Sequence, residues 1–215
     1  VTEPTITIVT PWRDHLELAP DYWDTVGPLE ADVLIVDDGS VPPLQFGNVR
    51  FDECRGFSRA CNAGLESADT EAVLFLNNDV AGGHPGWLDR ILSQLEPGAL
   101  VGARLRHDPH ADVDGQSLPY LDGWCLAGMR DDLLELGGFD ETLAEPAYYS
   151  DNLLCLEARA AGFVLREVLT GLRHKCGATT LPHRNPDVQR ATNLNRARYV
   201  ERARQLLEQE VAVAD

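Results

Sequence analysis

The stretches Val33-Leu34-Ile35-Val36-Asp37-Asp38-Gly39-Ser40 and Ala72-Val73-Leu74-Phe75-Leu76-Asn77-Asn78-Asp79 decide the fold. Each is a short run, apolar on both faces, that breaks abruptly into acids, amides and turn formers. Unbroken runs of this kind suit parallel strands covered by helices on both sides, whereas a half-solvated strand alternates. Upstream, Thr5-Ile6-Thr7-Ile8-Val9-Thr10 is β-branched throughout and reads as a strand ending at Pro11. Helical spacing falls at 15–26 and 57–68. The first half therefore runs β-α-β-(β)-α-β, which predicts an α/β sandwich with a mainly parallel sheet.

Further out the pattern is less regular. Residues 87–95 read as a helix, 99–104 as a strand, 106–120 as a polar loop and 123–129 as a strand of small residues. A helix at 151–161, a last strand at 163–168 and a long amphipathic helix at 188–210 follow. No repeat, linker or low-complexity tract divides the 215 residues, so one domain is expected. Asp and Glu total 35 against 18 Lys and Arg, and the net −17 argues against a nucleic-acid binder or a coat for anionic membranes. The excess is uneven. Between Arg173 and Arg204 eight basic residues face two acids, a local +6 that leaves −23 for the rest; this stretch either holds an anion or is a solvated arginine face. Five cysteines, odd in number and without a CxxC pair, read as reduced thiols. No apolar run approaches the ~20 residues of a membrane span and no leader is visible, so a cytoplasmic protein with no transmembrane segment is expected.

Position carries the chemistry. Asp37, Asp38 and Asp79 all fall at carboxyl ends of core strands, the edge where ligands bind in an open α/β sheet. Carboxylates gathered there repel one another unless a cation joins them, and hard oxygen ligands suit Mg²⁺ or Mn²⁺. A divalent ion would also let so acidic a chain accept a diphosphate. The plainer alternative is that these residues only end strands and open turns, as Asp-Gly often does. No G-x-G-x-x-G follows a strand and no G-x-x-x-x-G-K-[ST] occurs, which removes the dinucleotide-fingerprint and P-loop readings. Gly39 stands where a haloacid dehalogenase-type phosphotransferase needs its second acid, and the single lysine, Lys175, is misplaced for a response-regulator receiver.

Several segments in one order then carry a resemblance: Ile8-Val9-Thr10-Pro11-Trp12-Arg13, Val36-Asp37-Asp38-Gly39-Ser40, Gly56-Phe57-Ser58-Arg59-Ala60-Cys61-Asn62-Ala63-Gly64, Leu76-Asn77-Asn78-Asp79 and Gly137-Gly138-Phe139-Asp140-Glu141. Over about residues 5–199 the chain resembles an inverting family 2 glycosyltransferase of the GT-A fold. The resemblance implies a Rossmann-like α/β/α sandwich with a mainly parallel central sheet. It assigns residues 1–104 to the nucleotide-sugar donor, 105–187 to acceptor and catalysis, and 188–215 to a C-terminal helix. It implies donor contacts from Thr10, Pro11, Trp12, Arg13, Asp37, Asp38, Gly56, Arg59 and Asn78. Asp79 is the implied ligand of Mn²⁺ or Mg²⁺, and His174, in the segment His174-x-x-Gly177-x-Thr179, completes that site in some members. Asp151 is the implied catalytic base, with Ser150 where the family usually carries an acid. Loss of that charge is expected to let Asp151 keep a lower pKa. A UDP-sugar is the default donor and the acceptor a small molecule, natural product or cell-envelope glycan; a homodimer is left open.

Other residues have two readings. Trp12 stacks on a base or anchors the first strand; Trp124 walls an acceptor site or belongs to the core. Arg13, Arg55 and Arg59 meet the donor or are solvated. His107, Asp108, His110, Asp112 and Asp114 resemble a metal cluster but read more simply as a polar loop. Two other functions stay in view: a sugar-nucleotide pyrophosphorylase, whose Gly-rich opening and lysine are missing after the first strand, and a catalytically silent GT-A module that only binds a nucleotide-sugar.

Overall fold

The computed structural model describes residues 4–175 and 186–214. In chain order its strands are β1 Ile6–Trp12, β2 Asp32–Asp38, β3 Val49–Phe51, β4 Ala72–Leu76, β5 Val80–Gly82, β6 Ala99–Gly102, β7 Leu105–Arg106, β8 Tyr120–Leu121, β9 Cys125–Met129, β10 Val164–Glu167 and β11 Leu172–His174. Its helices are α1 Ala19–Val26, α2 Phe57–Ser67, α3 Trp87–Leu92, α4 Arg130–Glu135, α5 Ser150–Ala160 and α6 Pro186–Ala214. The central sheet has seven strands in the order β10-β6-β9-β4-β1-β2-β3. β1 runs parallel to β2 and β4, β2 to β3, and β6 to β10, while β9 runs antiparallel between β4 and β6.

The apolar runs are buried because helices cover both faces. Ile8, Ile35, Leu74 and Leu76 pack beneath Tyr22, Val26, Trp87 and Ile91 of α1 and α3. Their neighbours Val9, Val36, Val73 and Phe75 point the other way, onto Ala60, Cys61, Leu65, Leu133 and Leu154 of α2, α4 and α5. Successive side chains of a strand face opposite sides, so one run of apolar residues serves two layers. This is the mainly parallel α/β/α sandwich.

Three departures from the sequence reading have local causes. β1 continues through Pro11 to Trp12, because its pairing with β4 has ended at Val9 and Pro11 pairs only with Val36 on β2, so the missing N–H leaves no gap. The helix expected at 15–26 is split into a 3₁₀ turn at Leu16–Leu18 and α1, with Pro20 in the first turn of α1 where a proline is tolerated. The polar loop 106–120 is closed at its base by the β7–β8 pair.

The end of the basic stretch, on α6, serves as a staple. Arg198 meets Asp140 at 2.9 Å, Arg202 Nη2 meets Glu157 at 2.8 Å, and Arg204 holds Asp114 with two contacts of 2.7 and 2.8 Å. Tyr199 and Ala203 are buried beneath them, and the Asn195 side chain exchanges two 2.8 Å hydrogen bonds with the backbone of Ala144. These three arginines therefore spend their charge on carboxylates of the body, while Arg184 of the same stretch lies outside the described residues. The same contacts decide the 106–114 segment: Asp114 belongs to Arg204, Asp108 lies 3.7 Å from Arg106, and Tyr199 donates to the Ala111 carbonyl at 2.8 Å. Among the described residues no three His, Cys, Asp or Glu side chains converge on a metal position. None of the described helices is long and apolar enough to cross a membrane.

Candidate active site

At the carboxyl ends of β1 and β2 most expected donor residues have internal partners. Asp37 is fully buried; it accepts the N–H of Ser40 at 2.8 Å and of Leu44 at 3.0 Å, and its Oδ2 also pairs with Arg50. Burial alone would raise the Asp37 carboxyl, but hydrogen bonds from Ser40, Leu44 and Arg50 together hold it below the usual carboxylate range. Asp38 accepts the N–H of Arg55 at 2.6 Å and of Gly56 at 3.0 Å, and the Cys54 thiol donates to it at 3.2 Å. These two acids brace loops, and the expected repulsive triad with Asp79 does not form. Thr10, also fully buried, bonds the Tyr22 hydroxyl at 2.6 Å. Trp12, 1% exposed, packs edge-on against Tyr22 and Phe46 and donates its indole N–H to the Asp14 carbonyl at 2.7 Å, so it presents no face to a base. Asp37→Ala is expected to destabilise the fold by about 3 kcal/mol in denaturant melts, because Arg50 and two N–H groups lose their acceptor. Its low carboxyl pKa gives the sign of the pH effect: the stabilisation is present above the ordinary Asp range and fades as pH falls through the depressed value.

What remains open at this edge is smaller. Pro11 is partly exposed and Arg13 exposed, the latter 3.8 Å from Asp14. Gly56 has φ +96°, and a Cβ there would lie 1.9 Å from Glu145 Oε1, so the start of α2 requires glycine. Arg59 pairs with Glu141 at 3.4 Å. Asn62, one turn on, exchanges hydrogen bonds of 2.8 and 2.9 Å with the Phe139 backbone, so two of the quoted motifs are clamped to each other.

The end of β4 is built differently. Asp79 is 1% exposed, yet among the described residues its Oδ1 has no hydrogen bond of good geometry; the same holds for Nδ2 of buried Asn78. β11 pairs antiparallel with β5, setting His174 opposite Val80, and the Lys175 N–H donates to the Asp79 carbonyl at 2.9 Å. This brings His174 Nε2 within 2.9 Å of Asp79 Oδ1. Cis ligands of an octahedral divalent cation lie about 3 Å apart when each bond is about 2.1 Å. A buried carboxylate oxygen and an imidazole nitrogen at that spacing fit a Mn²⁺ or Mg²⁺ position, with its other ligands left to substrate and water. Gly177 and Thr179 of the same segment lie outside the described residues.

Across the edge, Asp151 opens α5, half-buried. Its Oδ2 accepts the Gly123 N–H at 3.0 Å and its Oδ1 the Asn152 N–H at 2.9 Å. Burial pushes its carboxyl up to about 6, and the nearby Asp122 charge adds to the rise against those N–H groups. The carboxyl is therefore not low despite the missing charge at Ser150: burial dominates, and Asp122 from another segment adds to the rise. Before the helix, Ala147 and Tyr149 hold left-handed backbone at φ 56° and 75°, conformations that non-glycine residues rarely keep without support from their surroundings. Residues 122–124 join the two centres. Gly123 holds Asp151, the Trp124 carbonyl accepts the Asn77 N–H at 2.9 Å, and the Trp124 ring stacks on His174 with centroids 5.0 Å apart. Asp122 and Gly123 had no signal of their own in the sequence, and Asn77 stood only inside the segment that ends at Asp79.

No protein-family model matches the sequence, and no curated protein matches it. Solved structures do match. PcManGT, a mannosyltransferase from Pyrobaculum calidifontis in complex with GDP-Man and Mn²⁺, aligns with a TM-score of 0.63 at 14% identity, over 99% of this chain and 76% of that one. GalNAc-T7 with UDP, GalNAc and Mn²⁺ aligns at 0.65 and 15% identity, over 93% and 48%. The 1-349 portion of S. aureus TarS aligns at 0.53 and 14% identity, over 73% and 55%. This chain spans about half the length of the last two. At such identities the likeness is one of architecture: the chain has the fold of the GT-A glycosyltransferases.

Proposed function

We propose that this chain is a metal-dependent inverting glycosyltransferase. It moves a sugar from a nucleoside diphosphate sugar, by preference a UDP-sugar, to a hydroxyl of a small-molecule, natural-product or cell-envelope acceptor. The observation that carries this reading is the pairing, on one sheet edge, of a buried Asp79 carboxylate 2.9 Å from His174 with a carboxyl raised to about 6 at Asp151. A divalent ion bound by Asp79 and His174 would supply Lewis-acid stabilisation of the departing diphosphate. Asp151 takes the proton of the acceptor hydroxyl as it attacks; a base with a pKa near 6 is ionised at neutral pH yet basic enough to share a proton in the transition state. The Gly123 N–H keeps one of its oxygens in place. A single base opposite the leaving group supports direct displacement with inversion. A raised carboxyl of this kind also favours an enzyme over a silent binding module.

Thermal melts with UDP, GDP and dTDP, with and without Mn²⁺, test the reading. At a hundredfold excess over Kd one nucleotide is expected to stabilise the chain by about 2.7 kcal/mol. That corresponds to about 5–10 °C for a chain of this size, and only with the metal present. No metal-dependent shift with any of the three overturns the proposal.

A further inference from the structure

We infer that Trp124 is a positioning residue for His174: its indole plane sets the imidazole so that Nε2 lies beside the Asp79 carboxylate. The inference rests on reading Asp79 and His174 as a cation site and says what keeps that site in shape. Pairing of β11 with β5 fixes the His174 backbone, but the terminal torsion of a histidine is broad and a strand ladder does not set the ring plane. Trp124 does. The two rings lie within 11° of parallel with centroids 5.0 Å apart. The Asn77 amide nitrogen, 3.3 Å from Nε2, adds a polar contact at the ring edge.

Trp124 is itself held at both ends. Its carbonyl accepts the Asn77 N–H at 2.9 Å, which ties it to the end of β4 two residues before Asp79. Its indole N–H donates to Asp122 Oδ2 at 3.3 Å, and Asp122 Oδ1 lies 3.4 Å from Arg106 Nε. A ring anchored by backbone at one end and by a charged pair at the other cannot turn freely, so the face it offers His174 is fixed. Partners behind a metal ligand commonly act this way, and their loss typically costs about 10–100-fold in metal affinity.

Mn²⁺ binding, followed by loss of the free-ion paramagnetic resonance signal, tests the inference without any turnover. Trp124→Leu fills apolar volume but has no planar face, and is expected to weaken Mn²⁺ about tenfold or more. Trp124→Phe, which keeps a face, is expected to recover most of the affinity. In a His174→Ala background Trp124→Leu is expected to add nothing, because residues acting through one contact are not additive. Bound Mn²⁺ should also quench part of the tryptophan emission, and that part should vanish in Trp124→Phe; this reading holds even if the leucine variant fails to fold. Wild-type affinity in Trp124→Leu, an equal loss with and without His174, or no quenching overturns the positioning role while the cation site stands. A wild-type chain that binds no Mn²⁺ overturns the cation site and this inference together.

Discussion

Asp151→Asn is expected to cut sugar transfer by about 10²–10⁴-fold and, at pH 8, to raise the melting temperature. The loss follows from removing the group that takes the acceptor proton. The gain follows from linkage. The Asp151 carboxyl stands at about 6 in the fold against an ordinary 3.8, so the folded chain keeps a proton that the unfolded chain has released. A raised pKa contributes stability at low pH that disappears as pH climbs through the folded value. Here the loss is about 3 kcal/mol, spread over about pH 4 to 6, at 1.36 kcal/mol per unit. Asparagine carries no charge and escapes that loss. It returns about 1 kcal/mol, since one oxygen that accepts the Gly123 or Asn152 N–H becomes an amine. A net gain of about 1–2 kcal/mol is expected at pH 8 and none near pH 3.5, where both side chains are neutral. Melts at the two pH values, with donor hydrolysis as the rate assay, check both signs. The same shift predicts that wild-type kcat/KM rises with pH and is half-maximal at about 6. A variant that keeps its activity and melts lower at pH 8 contradicts both halves.

The parts of this fold that were legible in the sequence are those whose cause is local. Val33–Val36 and Ala72–Leu76 declare buried strands by composition alone, and both lie in the central sheet. What depends on a partner from elsewhere was not legible. Whether Pro11 ends β1 depends on where β4 stops pairing. Whether Trp12 or Trp124 meets a ligand edge depends on which of them Tyr22 and Phe46 enclose, and they enclose Trp12. His174 reaches Asp79 through two strands of three residues each, too short to leave a periodicity. The carboxyl at Asp151 is raised by burial and by Asp122, two effects that counting neighbours along the chain does not show.

The sharpest case is a pair of aspartates with the same sequence signature, each closing an apolar strand. Asp37 is saturated with donors; among the described residues Asp79 Oδ1 has only the His174 imidazole beside it, at 2.9 Å. A buried carboxylate saturated with donors stabilises the fold, whereas one so sparsely paired costs stability and persists for what it binds. Asp79→Asn is therefore expected to behave as the reverse of Asp37→Ala. It keeps the volume and loses at most the one contact with His174, where Asp37→Ala loses three donors, so the ligand-free chain should melt close to wild type. Mn²⁺-dependent stabilisation by a nucleotide should vanish. Donor hydrolysis should fall on the order of 10³-fold, since the several kcal/mol a Lewis acid supplies count about 1.4 kcal/mol per decade. Paired melts with and without Mn²⁺ and nucleotide, beside the hydrolysis rate, decide the matter. A variant that loses stability like Asp37→Ala yet still responds to Mn²⁺ would make Asp79 one more strand-ending brace, and the cation would then have to be held without it.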